Sequence, residues 1–506
     1  MNSIKERLDK FFGVTQSGSS FKTEVYAGIA TFLAMAYILT VNPYMLQGFG
    51  VASLSRTAAL IIATAFGAIV GTVLMAVWAK MPFALAPGMG LNSMIGTILA
   101  FGGAGGLAFT YPNMMAVTFL AGLLFLAVSV VPAGKDSITG KRISLRERVF
   151  EGIPEALRTA IPVGIGLFIA FIGLQNAGVI VSADGTLVGL AKFNELPWGE
   201  SARGAAVCLF GLFVIGVLSH YNVRGAIVIG VLAGTALSLP LGVAKLETIA
   251  GTGDVSWRFW ENFSKFFSFG ADDGAFGMLF QGGFQFPTGS LFTVIVLVIT
   301  FCMISMFDTI GTVVGCATNA GLLDKDGKPK NYSQILYADS VSTITGSVFG
   351  TSTVTTFVES GAGIAVGGKT GFTSIITAAF FALAIFILPV FAFIPTAAAA
   401  SALVYVGVLM ISQVKNINFQ DVRLAVPAFL IIIGMPLTYS ITNGIGIGIV
   451  SYVVISVICY IIDRIKYARL SNKQGAEKPA WTVSAVTAVI FLLFLFYFLM
   501  PQGFGA

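Results

Sequence analysis

Three carboxylates in this 506-residue chain stand where a carboxylate is expensive. Asp308, Asp339 and Glu359 fall inside long apolar runs, while most of the 23 Asp and Glu lie in polar stretches or at run ends. An ionisable group at membrane depth costs about 2.5 kcal/mol or more and marks a functional position by default. No Lys or Arg lies near the centre of an apolar run, and the single histidine, His220, sits at a tight 219–224 hairpin. Any proton relay therefore runs through carboxylates rather than imidazole.

Asp308 lies in Phe307-Asp308-Thr309-Ile310-Gly311-Thr312. On a helix, Asp308 and Thr312 share one face, one turn apart, and offer a carboxylate and a hydroxyl to a common cavity. The plainer alternative is a structural Asp bonded to nearby backbone. Glu359 falls at the start of a short Gly-rich helix, where it meets unpaired N–H groups and the positive dipole end. Its plainer alternative is a capping carboxylate. Asn92, in the first turns of another short helix, offers an amide donor and acceptor without charge, or glues helices together. Asp339 sits about 9 Å into its span at 1.5 Å per residue, as suited to an N-cap or packing role as to carrying a proton. Gln175 and Asn176 add polar groups to the fifth span.

Two interrupted segments must position these groups. The first reads Pro82-Phe-Ala-Leu-Ala-Pro87-Gly-Met-Gly90-Leu-Asn92, the second Gly350-Thr-Ser-Thr-Val-Thr-Thr-Phe-Val-Glu359-Ser-Gly-Ala-Gly363. Each opens on an extended stretch, because Pro disfavours helix before it and β-branched residues favour strand. Each then turns into a short helix, predicted to start near Gly88 and Val358. Irregular backbone at membrane depth survives only where protein buries it or a cavity needs it. Paired interruptions at matching places in two halves point to a transporter binding site.

The rest of the chain supplies membrane spans. Hydrophobic residues make up 56% and charged residues 10%, against roughly 25% charged in soluble domains. Apolar runs long enough to cross about 30 Å of hydrocarbon recur from end to end, and no signal peptide precedes them. The spans are read at 24–46, 56–79, 84–100, 111–131, 159–182, 203–219 and 225–240, then at 289–317, 333–350, 358–368, 371–394, 397–413, 423–439 and 442–463. A further apolar run, 481–500, follows. The fold class is thus an all-α polytopic membrane protein of fourteen transmembrane segments, with two half-helices preceded by short strands and an extra C-terminal hydrophobic helix. Each interruption is third in its set of seven. Because seven is odd, the second set enters from the opposite side, and the repeat is inverted. Val223 to Gly230 and Thr442 to Ile449 echo each other in the last span of each set.

With the N-terminus in the cytoplasm, only Arg56, Lys192, Arg203, Lys245, Arg258 and Lys265 of the 29 Lys and Arg fall outside, as the positive-inside rule requires. The net charge of +6 therefore reports topology, not nucleic-acid binding. The expected location is the inner (plasma) membrane. The four cysteines, Cys208, Cys302, Cys316 and Cys459, have no paired spacing and read as apolar packers. No cofactor or metal is called for.

Several stretches carry a family resemblance. Thr23 to Ile38, Leu85 to Asn92, Gly164 to Gln175, Phe307 to Thr312, Ala320 to Asp326 and Val358 to Gly363 resemble the AzgA-type purine permeases of the nucleobase:cation symporter superfamily. The resemblance covers roughly residues 15–465. It implies a core domain (24–131 and 289–394) and a gate domain (159–240 and 395–463). Around these lie a cytoplasmic N-terminus (1–23), a basic linker (132–158), an extracytoplasmic loop (241–288) and a C-terminal linker and helix (464–506). It also implies proton-coupled uptake of adenine, guanine or hypoxanthine by alternating access. Family binding positions map onto Asn92, Asp308 and Glu359, with Thr312 at a place that often holds a polar or histidine side chain and Phe357 at an aromatic place. The 241–288 loop, with Trp257 and Trp260, is longer than the family leads one to expect, and 481–500 lies beyond the shared fold.

A planar purine presents N–H groups to Glu359 and Asp308, while Phe357 offers a ring to stack on. Asp308 is the favoured proton carrier and Glu359 the principal substrate acceptor; Asp339 is the third candidate for coupling. A homodimer is compatible with this reading. Two other classes are weaker. An anion exchanger of the same fold should avoid two carboxylates near half-helix N-termini. An intramembrane aspartyl protease built on Asp308 and Asp339 lacks the expected Tyr-Asp and Gly-x-Gly-Asp contexts, since Phe307 and Ala338 precede the two Asp.

Overall fold

The computed structural model describes residues 2–50, 56–101, 108–135, 142–144, 152–183, 187–223, 225–244, 255–268, 274–323, 329–469 and 480–499. Most of the basic 135–148 stretch, the charged end of the 320–326 motif and the 470–479 linker lie outside them. In chain order the helices are α1 (Asn2–Phe12), α2 (Phe21–Met35), α3 (Ile38–Leu46), α4 (Thr57–Leu74), α5 (Met89–Phe101), α6 (Tyr111–Val130) and α7 (Glu155–Asn176). They continue with α8 (Glu200–His220), α9 (Ala226–Ser238), α10 (Phe259–Phe266), α11 (Leu291–Ala320), α12 (Tyr332–Phe349), α13 (Ser360–Val366) and α14 (Gly371–Ala384). Last come α15 (Leu388–Ala392), α16 (Thr396–Ile411), α17 (Val422–Leu437), α18 (Ile441–Arg469) and α19 (Ala485–Leu499). The strands are β1 (Leu85–Pro87), β2 (Pro132–Lys135), β3 (Arg142–Ser144), β4 (Ile180–Ala183), β5 (Leu187–Leu190) and β6 (Val354–Thr356).

Among the described residues, eight helical segments are long and apolar enough to cross a membrane, and shorter apolar helices such as Met89–Ala100 and Val422–Leu437 accompany them. The chain is a multi-pass membrane protein. Several expected spans are broken. The 24–46 run splits into α2 and α3 at Ala36 and Tyr37, where Leu39 N and Thr40 N bond three residues back; Pro43 lies within α3. The 371–394 run splits likewise into α14 and α15 around Pro389. The 159–182 run ends early, at Asn176. Gly178 takes a positive φ, its N–H returns to the Gln175 carbonyl, and a β4–β5 hairpin follows.

The chain divides into two compact units. One holds 1–127, 169–287 and 301–406; the other holds 128–168, 288–300 and 407–506. In the second, α17 and α18 pair closely. α19 lies on α18, with Phe494 and Phe498 against Gly446. Its 15 described residues rise roughly 22 Å.

The first unit contains the two interrupted segments. β1 and β6 pair antiparallel, with Leu85 opposite Thr356, Ala86 opposite Thr355 and Pro87 opposite Val354. Bonds from Gly88 N to Thr353 O (2.8 Å) and from Phe357 N to Ala84 O (3.0 Å) extend the ladder. Residues 84 and 88 thus point their backbone at β6, so Leu85 and Pro87 point theirs away, and Pro87 costs the ladder no donor. Each outward edge has its own partner. Thr72 Oγ1 accepts from Leu85 N (3.0 Å) and donates to Leu85 O (3.1 Å). On the opposite strand, Asp339 Oδ1 accepts from Thr356 N (3.1 Å) while Oδ2 accepts from Thr309 Oγ1 (2.5 Å). Asp339 is fully buried within α12, so it is not an N-cap. It supplies the acceptor that an unpaired strand N–H at this depth requires.

The 241–288 segment, read as a polar loop, is a packed element where it is described. Phe266 is 1% exposed and stacks on Phe66, which also stacks on Phe349. Arg56, read as an outer-loop cation, is buried. Its guanidinium lies 4.8 Å from the Tyr111 ring centre and bonds Gly274 O at 3.2 Å.

The role of Asp339 is open to direct test. Asp339→Ala strands the Thr356 N–H and should lower stability by about 1–3 kcal/mol, seen as a reduced Tm of the purified protein. Asp339→Asn retains an acceptor oxygen and should lose less. An unchanged Tm in Asp339→Ala would remove the Thr356 bond from the stability of the strand pair.

Candidate functional site

The two short strands end where two short helices begin. β1 passes through Gly88 into α5, and β6 passes through Phe357 and Val358 into α13. The site is built at these junctions, within the first unit. Helix α11 runs beside them and presents Asp308, Thr312 and Cys316 at four-residue spacing. Asp308 Oδ2 accepts from Thr355 Oγ1 at 3.4 Å. Further along, Cys316 Sγ lies 3.8 Å from Val358 O. One face of α11 therefore follows β6 to the start of α13.

Gly88 is required by this crowding. A Cβ there would stand 2.9 Å from Thr355 Oγ1 and 3.6 Å from Asp308 Oδ2. The close approach brings Asp308 to the first turn of α5, where free N–H groups and the dipole favour negative charge. Asp308 and Thr312 are both partly exposed.

Glu359 immediately precedes α13, yet its side chain makes no capping bond. Instead Oε1 accepts from the Tyr37 hydroxyl at 2.7 Å. Glu359 retains 8% exposure, and Val358 beside it is exposed. Glu359 thus stands at the N-cap position of α13 with its carboxylate bonded elsewhere. Phe357 is 6% exposed and its N–H belongs to the strand ladder. Asn92 is fully buried. Its Nδ2 donates to Pro87 O at 3.2 Å, and its Oδ1 accepts from Ser352 Oγ. Asn92 thus ties the start of α5 to the segment leading into β6. Asp339 belongs to the strand edge described above.

Of the residues singled out in the sequence, the structure brings Asp308, Thr312 and Glu359 to the junctions, the first two partly exposed and Glu359 buried. Asn92, Phe357 and Asp339 lie in the framework beneath. His220 ends α8 and is exposed. Sequence reasoning missed Tyr37. The available signal was a phenol in mid-span, six residues before a proline, whose O–H needs a buried acceptor. It also missed Glu24, a buried carboxylate at a span end. Glu24 accepts from Lys369 N, Thr370 N, Thr370 Oγ1 and Thr373 Oγ1, which closes the chain between α13 and α14. Nothing in its sequence context distinguishes it from an ordinary first-turn Glu.

Two carboxylates on different elements, a hydroxyl between turns and donors from two helix starts can hold a small polar ligand and exchange a proton with it. No nucleophile–base pair accompanies them among the described residues of the site.

Comparison with known proteins identifies the family. Residues 22–447 match the family model Xan_ur_permease, described as "Permease family". The guanine/hypoxanthine permease PbuO of Bacillus subtilis is 37% identical, over 88% of this chain and 93% of the relative. The adenine permease AdeP of Escherichia coli is 35% identical, over 89% and 90%. Among solved structures, the transmembrane domain of the bicarbonate transporter BicA from a cyanobacterium superposes with a TM-score of 0.55 at 17% identity, covering 83% of this chain and 97% of that one; the likeness is one of fold. Matched across most of its length by this model and by these relatives, the chain belongs to the permease family, within the nucleobase transporter superfamily, and is a transporter rather than an enzyme.

Proposed function

We propose that this permease is a proton-coupled purine nucleobase uptake symporter that works by alternating access across the inner membrane. The observation that carries the reading is the pairing of Asp308 with the α5 start and of Glu359 with the α13 start, on either side of one β1–β6 ladder. Purine edges offer N–H donors, for which both carboxylates are acceptors. The names of the relatives, adenine and guanine/hypoxanthine permeases, support this substrate class. The antiparallel β1–β6 pair is what an inverted repeat of seven plus seven segments requires, and fourteen spans divided into core and gate belong to this reading. So does a cytoplasmic N-terminus. Asp308, partly exposed and accepting from Thr355 Oγ1 at 3.4 Å, is the proton carrier; Glu359 is the substrate acceptor.

An anion exchanger remains the rival, since solved neighbours of the fold carry anions. Two carboxylates at the site oppose it. Uptake of labelled adenine, hypoxanthine, guanine, uracil and sulfate into vesicles, with and without a protonophore, decides between them. Purine uptake that collapses with the protonophore is expected; sulfate uptake alone would overturn the proposal.

Glu359→Gln keeps the shape of the side chain and loses the charged acceptor. Charge-assisted bonds contribute about 1.5–3 kcal/mol, so purine affinity should fall roughly ten- to hundredfold. Unchanged affinity in the purified variant would remove Glu359 from the site.

Asp308→Asn mimics the protonated carboxyl permanently. Concentrative uptake should vanish, because no proton is released inside, while exchange of labelled for unlabelled purine persists. Measured on one reconstituted sample, wild-type concentrative uptake would transfer the proton role to Glu359. Equal loss of binding, uptake and exchange together with expression would make Asp308 structural.

A further inference from the structure

Tyr37 lies between α2 and α3, 3% exposed, with its hydroxyl 2.7 Å from Glu359 Oε1. We infer that Tyr37 is the positioning residue of the substrate site: it takes one oxygen of Glu359 and leaves the other, Oε2, aimed at the nucleobase. The inference rests on the transport reading and deepens it.

Three observations converge on this role. The first concerns the helix break. Past Met35 the chain makes bonds from Leu39 N to Ala36 O and from Thr40 N to Tyr37 O, the tighter i→i+3 pattern of a distorted turn. The helix resumes at Ile38 and carries Pro43 inside it. The break fixes where Tyr37 projects.

The second concerns close packing. α13 lies against α2 at Gly363, where a Cβ would come within 2.2 Å of Thr31 Oγ1 and 2.6 Å of Ala27 O. No larger residue fits without moving one helix. Tyr37 and Glu359 are therefore held at bonding distance by the packing of their own elements, and the phenol does not have to be recruited.

The third concerns the carboxylate itself. Glu359 makes no side-chain capping bond with α13; among the described residues its side-chain donor is the Tyr37 hydroxyl. A free carboxylate in a mostly buried site would sample several orientations, and ordering it on binding costs free energy. Holding it beforehand is preorganisation of an acceptor.

Tyr37→Phe tests the inference, because it removes one oxygen and keeps the ring. Binding of labelled adenine and hypoxanthine is measured on the purified full-length protein for wild type, Tyr37→Phe, Glu359→Gln and the double variant, with Tm recorded on the same samples. Tyr37→Phe should weaken binding about fivefold, raise the KM for uptake with Vmax held, and leave Tm within a few degrees. In the Glu359→Gln background, Tyr37→Phe should add less than about twofold, since residues that act through one another are not additive.

Wild-type affinity in Tyr37→Phe overturns the inference while the transport reading stands. So does full additivity in the double variant, which would make the phenol act independently of Glu359. A large fall in Tm with binding lost in both backgrounds assigns Tyr37 to packing and also overturns it. If wild-type protein binds neither base, the transport reading fails first and the inference falls with it.

Discussion

The pairing of two three-residue strands is the constraint on which the site depends. Extended backbone at membrane depth exposes N–H and C=O groups that lipid cannot satisfy. β1 and β6 satisfy one edge of each other. Their outer edges then need partners from helices, and Thr72 and Asp339 provide them. Leu85 and Thr356 are register partners, so these two supports sit at equivalent places on opposite sides of the ladder. A hydroxyl suffices on one side and a carboxylate is used on the other. The latter also draws in Thr309 of α11, the neighbour of Asp308. The framework and the Asp308 face of α11 are thus linked by consecutive residues.

This arrangement separates two kinds of buried polar group. Asp339, Asn92 and Glu24 have their polar atoms engaged by backbone and hydroxyls and lie fully inside. Among the described residues, Asp308 takes a side-chain donor from Thr355 and Glu359 one from Tyr37, and Asp308 is partly exposed. Satisfied polar groups stabilise a unique arrangement; partly satisfied ones have capacity left for a ligand. The distinction follows from the number of donors converging on each side chain, not from its identity.

Much of this was legible from residue types. Prolines at 82 and 87 and the Thr–Val run at 353–356 announce extended chain, and the glycines beyond them announce short helices; both half-helices start within about two residues of their expected positions. The carboxylates stood out because apolar runs make them costly. What stayed hidden was partnership over long sequence distances. Asp339 looks the same whether it carries a proton or receives the N–H of Thr356. Nor can composition reveal that the aromatics of 255–287 pack on Phe66 and Phe349, or that Asn176 ends a helix and a hairpin follows. Tyr37 escaped notice because tyrosine is ordinary in an apolar run, and its significance lies in an acceptor 322 residues away.

The bond from Ala84 N to Ser360 Oγ spans 276 residues of chain. At 5–20 residues per second, β1 leaves the ribosome roughly 14–55 s before its partner exists. Its backbone must endure that interval without the ladder. Thr72, only 13 residues upstream, already meets both polar groups of Leu85, so the first strand has a resident companion on one edge from the moment α4 and β1 fold back together. The halves of this protein are consequently unequal in time: the earlier one keeps its irregular backbone tolerable with a local hydroxyl, and the later one arrives to a strand already in place.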